Sequence, residues 1–233
     1  MKKKVLLLFV LVLLTVAVLW RLSSLRNFQI MGKLVTRAAC SEKVVALTFD
    51  DGPTGEYTDS ILTVLADYKV KATFFVTGRE VEENLAPARQ IVEQGHELGN
   101  HSYSHSRLIF KWPATIRHEL EKADVAIRSA GYQGQINFRP PYGKKLFVLP
   151  WCLAQMGKTT VMWDIEPETF PEVAASADLI VEHVIQRVQP GSIILLHLMY
   201  KSREESRKAL PKLIEALKQQ GYRFATVTEL LSS

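Results

Sequence analysis

Four side chains in this sequence have types and spacing that could do chemistry together. Asp50 and Asp51 stand side by side at the end of the apolar run Val44-Val45-Ala46-Leu47-Thr48-Phe49, just before Gly52-Pro53, and His101 and His105 stand four residues apart. Two imidazoles and one carboxylate can hold a divalent ion while leaving positions for water and substrate, the open arrangement of a catalytic metal site. Histidines at that spacing fall on one face of a helical turn. With Asp51 as the third ligand, Asp50 is left to accept a proton from a water that the ion makes acidic. Imidazole and carboxylate discriminate poorly among metals, so zinc is expected first, and cobalt, nickel or iron would also fit.

Three further stretches could complete such a site. In Arg139-Pro140-Pro141-Tyr142-Gly143, two prolines stiffen a loop that can hold the backbone N–H of Tyr142 where an oxyanion would develop. Arg139 is costly to bury unless paired and is expected to orient Asp50. Trp163-Asp164-Ile165-Glu166-Pro167 brings the ring of Trp163, which, like Phe170, could stack on a sugar face. His197 ends the run Ser192-Ile193-Ile194-Leu195-Leu196, and Glu166, ending the preceding strand, is expected to reach its ring and favour the imidazolium. His96, His118 and His183 fit no such grouping and are expected at the surface or its boundary.

The elements that must position these residues alternate along the chain. Strands are expected at Val44–Phe49, Ala72–Val76, His96–Asn100, Ile136–Arg139, Thr159–Trp163, Ser192–His197 and Arg223–Val227. Helices are expected at Asp59–Tyr68, Pro87–Gln94, Pro113–Ala130, Leu146–Met156 (interrupted by Pro150), Ala177–Val188 and Glu204–Gln220, with a terminal turn at Glu229–Leu231. Phe28 to Ala39 could supply an edge strand. Alternation argues an α/β fold with a parallel sheet and helical crossovers. The polar residues Asp50, Asp51, Asn100, His101, Arg139, Asp164, Glu166 and His197 all fall at or just past C-terminal strand ends, which in a barrel converge on one mouth. A barrel is therefore the better reading than an open sheet.

Thr48-Phe49-Asp50-Asp51-Gly52-Pro53 closely resembles the first motif of the polysaccharide deacetylases, the NodB-homology family of metal-dependent carbohydrate esterases, and His101-Ser102-Tyr103-Ser104-His105-Ser106 and Arg139-Pro140-Pro141-Tyr142-Gly143 resemble the second and third. The resemblance covers about Val44 to Leu231. It implies a distorted (β/α) barrel of about seven parallel strands, Asp51, His101 and His105 as metal ligands, Asp50 as general base and His197 as the general acid that protonates the leaving amine. The last two motifs depart from the pattern: Glu166 stands where the family usually has Asp, Thr169-Phe170 where it has Asp-Trp, and Leu198 replaces the acid that commonly follows the histidine. Leu198 is expected to be tolerated, because that acid would duplicate Glu166.

The N-terminus has a different character. Met-Lys-Lys-Lys precedes sixteen residues, Val5 to Trp20, whose only polar member is Thr15. No Ala-x-Ala-like site follows, and Trp20 suits an interface, so residues 1–27 are expected to be an uncleaved membrane anchor in preference to a cleaved signal that would release a secreted protein; residues 28–233 form the catalytic domain. The leading lysines place that domain outside the cytoplasm. The net charge of +5 comes from this arm: residues 1–40 carry seven Lys/Arg and no acid, which leaves 22 basic against 24 acidic residues in the remainder. No nucleic-acid-binding face is expected. Cys40 and Cys152 leave a disulfide open, and Cys40 lies too far past the apolar run to be read as a lipidation site.

The expected activity is metal-dependent removal of N-acetyl or O-acetyl groups from a cell-envelope or extracellular glycan, by a monomer. The rivals are a carbohydrate-binding protein that has lost turnover on the same fold and another metallohydrolase such as a phosphoesterase.

Overall fold

The computed structural model describes residues 2–232. In chain order the elements are α1 (Lys2–Ser23), β1 (Leu34–Val35), β2 (Val44–Asp50), α2 (Thr58–Asp67), β3 (Thr73–Val76), α3 (Gly78–Glu83), α4 (Leu85–Glu93), β4 (Glu97–Asn100) and α5 (Pro113–Ser129). They continue with α6 (Val148–Gln155), β5 (Thr160–Val161), α7 (Pro171–Ala174), α8 (Ala177–Ile185), β6 (Ile193–His197), α9 (Glu204–Gln219), β7 (Arg223–Phe224) and α10 (Val227–Ser232).

Every residue of β2 is buried, as its continuous apolar run requires. β2 pairs in parallel with β6 over Ala46–Asp50, with β3 over Thr48–Asp50, and with β7 at its start. β3 pairs with β4. Beyond β4 the ring is carried by single bridges, Asn100 to Phe138 and Phe138 to Thr160 of β5, and Ile165 bridges back to Ile194 of β6. β1 lies outside β5 as an added parallel strand. The result is a distorted β/α barrel. The strand expected at Ile136–Arg139 shrinks to the bridge at Phe138, although its backbone is bonded on both sides: Asn100 N–H donates to Asn137 O at 2.8 Å and Val161 N–H to Phe138 O at 2.8 Å.

Alternation along β2 sorts its side chains. Val45, Leu47 and Phe49 pack outward against helices that include α2, α4, α8 and α9, whereas Val44 and Ala46 face an interior cluster with Phe75, Val161, Met162 and Trp163. Asp50 and Thr48 continue the inward set, which puts the first carboxylate of the pair inside the top of the barrel.

Several features differ from the sequence reading, among them the last strand, which stops at Phe224, and the terminal turn, which is the helix α10. α3 was not expected; Thr77 caps the helix, accepting from Glu80 N–H at 3.3 Å, and a Cβ at Gly78 would stand 2.8 Å from Ala123 Cα in α5. Pro150 does not interrupt α6 but sits in its first turn, where no N–H is needed. His96 and His183 are buried and not at the surface. The His96 ring accepts from Ala72 N–H at 3.2 Å, and burial, with Lys71 nearby, lowers its pKa to about 4.

α1 is long and apolar enough to cross a membrane. At about 1.5 Å per residue its 22 residues span about 33 Å, against a hydrocarbon layer of about 30 Å. Both cysteines are free, Cys152 in the core and Cys40 half-buried.

Candidate active site

The two aspartates part company because the backbone turns between them. Asp50 ends β2 in extended register, but Asp51 adopts φ 74°, a left-handed conformation that swings its carboxylate into the mouth of the barrel. Asp50 stays inside, where Arg139 donates to Asp50 Oδ1 at 2.6 Å and to Thr48 Oγ1 at 2.9 Å. The guanidinium is fully buried, lies 4.0 Å from the Phe75 ring centroid, and spends its remaining donors on the carbonyls of Val161 and Met162 at 3.1 Å each. Burial alone would raise the Asp50 pKa, but Arg139, then His101 and His197, outweigh it and hold the carboxyl below the ordinary range. Asp50 is therefore a fixed, ionised carboxylate.

His101, His105 and Asp51 present ligand atoms that lie within 4.8 Å of one another. His105 Nε2 is 3.3 Å and His101 Nε2 4.0 Å from Asp51 Oδ1. The histidines do not share a helical turn. They lie in a loop after β4 in which Ser102 (φ 64°) and His105 (φ 55°) are both left-handed. The loop is folded by its own polar side chains: Ser102 N–H donates to Asn100 Oδ1 at 2.8 Å, His105 N–H to Ser102 Oγ at 3.0 Å, and Tyr103 and Ser104 N–H both donate to Glu119 Oε2 in α5.

Asp51 Oδ1 is buried and has no hydrogen-bond partner among the described residues, so it faces the two imidazoles with nothing to neutralise it. Burial and the Asp50 charge push its pKa up to about 7. His101 Nδ1–H donates to the Arg139 carbonyl at 2.8 Å, which leaves the Nε2 lone pair facing both aspartates, 3.7 Å from Asp50 Oδ2 and 4.0 Å from Asp51 Oδ1. Burial lowers His101 to about 4 and lowers His105 as well, so both are neutral, the form a metal needs. An orphaned carboxylate oxygen between two neutral imidazoles fits a divalent cation.

His197 faces this group from β6. Its Nδ1 lies 2.6 Å from Glu168 Oε2, which also accepts from the His197 backbone N–H at 2.9 Å, and Ser206 holds the other Glu168 oxygen. Burial works against the charged ring, but the Glu168 hydrogen bond and charge, with Asp50 and Asp51, raise the His197 pKa to about 9. The expectation for Glu166 is corrected here. Pro167–Thr169 forms a 3₁₀ turn that brings Glu168 back under the ring, while Glu166 accepts from Trp163 Nε1 at 2.8 Å and from Thr169 Oγ1 at 2.8 Å.

The remaining expected residues divide between pocket and scaffold. Tyr142 (φ 58°), Trp163 and Glu166 line the open pocket of about 440 Å³ in which the aspartates, the histidine pair and His197 meet. Trp163 is 93% buried and offers the pocket little more than a ring edge. Phe170 turns away to pack on His183, with ring centroids 5.2 Å apart, and Asp164 ties down the start of β6 through Ser192 Oγ and Ile193 N–H. Leu198 is fully buried in the core. Sequence reasoning missed Glu168, Tyr200 and Arg203, which line or support the pocket, and Glu80, which accepts from Gly52 N–H at 2.8 Å and from Tyr200 OH at 3.2 Å. Thr77-Gly-Arg-Glu80 carried the one available signal, the spacing of a capping box.

A buried ionised carboxylate, a cation-binding triad and a charged imidazole around one pocket at the mouth of a β/α barrel define a metal-dependent hydrolase. Comparison with known proteins gives the family. The polysaccharide deacetylase model matches residues 37–161, and the chain belongs to that family, hydrolases of carbon–nitrogen bonds other than peptide bonds. The chain is 34% identical over 195 residues, covering 82% of itself and 89% of the relative, to a peptidoglycan-N-acetylglucosamine deacetylase of Bacillus cereus. Among solved structures it resembles a peptidoglycan N-acetylglucosamine deacetylase in complex with 4-naphthalen-1-yl-N-oxidanyl-benzamide (TM-score 0.78, 35% identity, 85% of this chain and 92% of that one). It also resembles a family pseudoenzyme from Bacillus anthracis (TM-score 0.76, 32% identity, 84% of this chain and 68% of that one).

Proposed function

We propose that this protein removes N-acetyl groups from amino sugars of a cell-envelope glycan, with zinc on Asp51, His101 and His105, while anchored by α1 with its body outside the cytoplasm. A divalent cation there would acidify water and polarise the acetyl carbonyl. Asp50, fixed by Arg139, takes the proton of the attacking water. The Tyr142 backbone N–H, at the pocket wall, donates to the developing oxyanion. His197 gives its Nε2 proton to the departing amine, and Glu168 on Nδ1 keeps the ring charged until then.

The observation that carries this reading is the pairing of an ionised base with a charged acid across one pocket: binding a glycan needs neither Arg139 buried against Asp50 nor Glu168 buried against His197. The description of the Bacillus cereus relative supports an N-acetylated sugar. An uncleaved anchor is supported by Lys145, whose buried ammonium donates to the Leu25 carbonyl at 2.5 Å, a contact that processing near residue 21 would loosen. A second reading, glycan binding without turnover, draws on the likeness to a pseudoenzyme and on Leu198 in place of an acid. Acetate release from chitin oligomers, peptidoglycan and an O-acetylated glycan, with and without chelator, separates the two. Chelator-sensitive acetate from N-acetylated glycans is expected. Full metal loading with glycan binding and no acetate would establish the second reading.

A further inference from the structure

The sector of the mouth rim beside the anchor has no part in the chemistry above. α1 does not simply trail from the body: Ser23 is fully buried, Lys145 N–H donates to the Ser23 carbonyl at 2.9 Å, and the Lys144 ammonium lies 3.9 Å from the centroid of the Trp20 ring. Lys144 is two residues from Tyr142 in the pocket wall, at most about 8 Å of chain. The catalytic mouth thus opens next to the tryptophan that ends the apolar run.

The surface around that junction is apolar and basic. Phe147, at the start of α6, lines a small cleft with Leu22, Phe28 and Ile30. The loop between β4 and α5 carries Phe110, Lys111 and Trp112, with Phe110 67% and Trp112 82% exposed. Both loops follow C-terminal strand ends and so sit at the same end of the barrel as the exit of α1. Residues 20–41, 106–113 and 138–149 contain no Asp or Glu, although the chain beyond residue 40 is slightly acidic as a whole. Exposed aromatic rings interleaved with lysine and arginine suit the interface of an anionic bilayer, where rings enter the headgroup layer and the cations meet lipid charge.

We propose that this acid-free aromatic sector rests on the anionic membrane surface, so that the mouth opens at headgroup level and takes glycans still carried on a membrane lipid. The inference rests on the deacetylase and uncleaved-anchor readings above; intact mass of the membrane-bound native protein tests the anchor, and the experiment below keeps failure of the deacetylase reading apart from failure of the docking. The full chain is reconstituted in vesicles of phosphatidylethanolamine and phosphatidylglycerol, and the difference in fluorescence between wild type and Trp112→Phe isolates Trp112. That component should be quenched by brominated lipid and protected from aqueous iodide; the reverse would overturn the docking.

In the same vesicles, acetate release is compared for an N-acetylglucosaminyl lipid and for the same sugar as a free oligosaccharide. The triple variant F110S/K111E/W112S should lose at least about tenfold on the lipid-linked substrate, through lost colocalisation, and nothing on the free one. Equal effects on both substrates, or no effect on either, would overturn the proposed substrate class. Trp112 buried in lipid with no acetate from either substrate would refute the deacetylase reading and uphold the docking.

Discussion

Replacing Glu168 with Gln keeps the shape of the side chain and an oxygen for the His197 backbone N–H, but removes the negative charge 2.6 Å from His197 Nδ1. With that charge the imidazole titrates at about 9; without it, burial opposes the remaining aspartates, and the pKa falls to about the ordinary 6.5 or below. A general acid works only while protonated, so activity is present below its pKa and lost as pH rises through it. At pH 7 nearly all of the wild-type rings and about a quarter of the variant's carry the proton, a loss of roughly fourfold. At pH 8.5 the fractions are about three quarters and one hundredth, a loss of roughly 75-fold. The assay is the pH profile of kcat/KM for acetate release by wild type, Glu168→Gln and Glu166→Gln. The alkaline limb should move down by about two and a half pH units in the first variant and stay in place in the second, whose carboxylate holds Trp163. A ratio of wild type to Glu168→Gln that stayed constant from pH 6 to 9 would refute the reasoning, as would a displaced limb in Glu166→Gln.

Asp50→Asn should retain metal, measured by elemental analysis, while turnover falls by roughly 10²–10⁴; joint loss of metal and activity would make Asp50 a ligand. His101→Ala and His105→Ala should each lose stoichiometric metal, and wild-type metal content in both would exclude the assigned triad. Arg139→Met leaves the Asp50 carboxylate buried without its cation and should destabilise the fold by about 3–5 kcal/mol in denaturant unfolding at neutral pH. Much of that loss should disappear in the double variant with Asp50→Asn.

The clustering of Asp51 with His101 and His105, and of Asp50 beside them, was legible because each lies within a short stretch whose backbone the sequence constrains. An apolar run ending in Asp-Asp-Gly-Pro can deliver two carboxylates without knowledge of the rest of the chain. The carboxylate partner of His197 was not legible in that way. Glu166 and Glu168 are two residues apart, and which one meets His197 depends on whether Pro167 begins an extended segment or the 3₁₀ turn that forms. The histidine pair was expected to come together and does, with Asp51, but for the wrong local reason, since spacing alone does not separate a helical turn from a loop kinked at Ser102 and His105. The barrel was legible from polar residues collecting at strand ends. The reduction of the fourth strand to Phe138 was not, because it reflects how the ring closes and not any preference within residues 136–139.

The direct pairing of Asp50 with His197 across β2 and β6 has a consequence for how such a site could be retooled. Neighbouring parallel strands stand about 4.8 Å apart, and slipping by one residue would turn every side chain to the opposite face. The proposed proton acceptor and donor are thereby spaced by the backbone ladder and not by the loops. Loop grafts at the rim, such as exchange of residues 200–203, which bring Tyr200 and Arg203 to the pocket, can change which sugar is admitted and leave the Asp50–His197 span untouched. A designer seeking a new substrate would vary those loops and hold β2 and β6 constant.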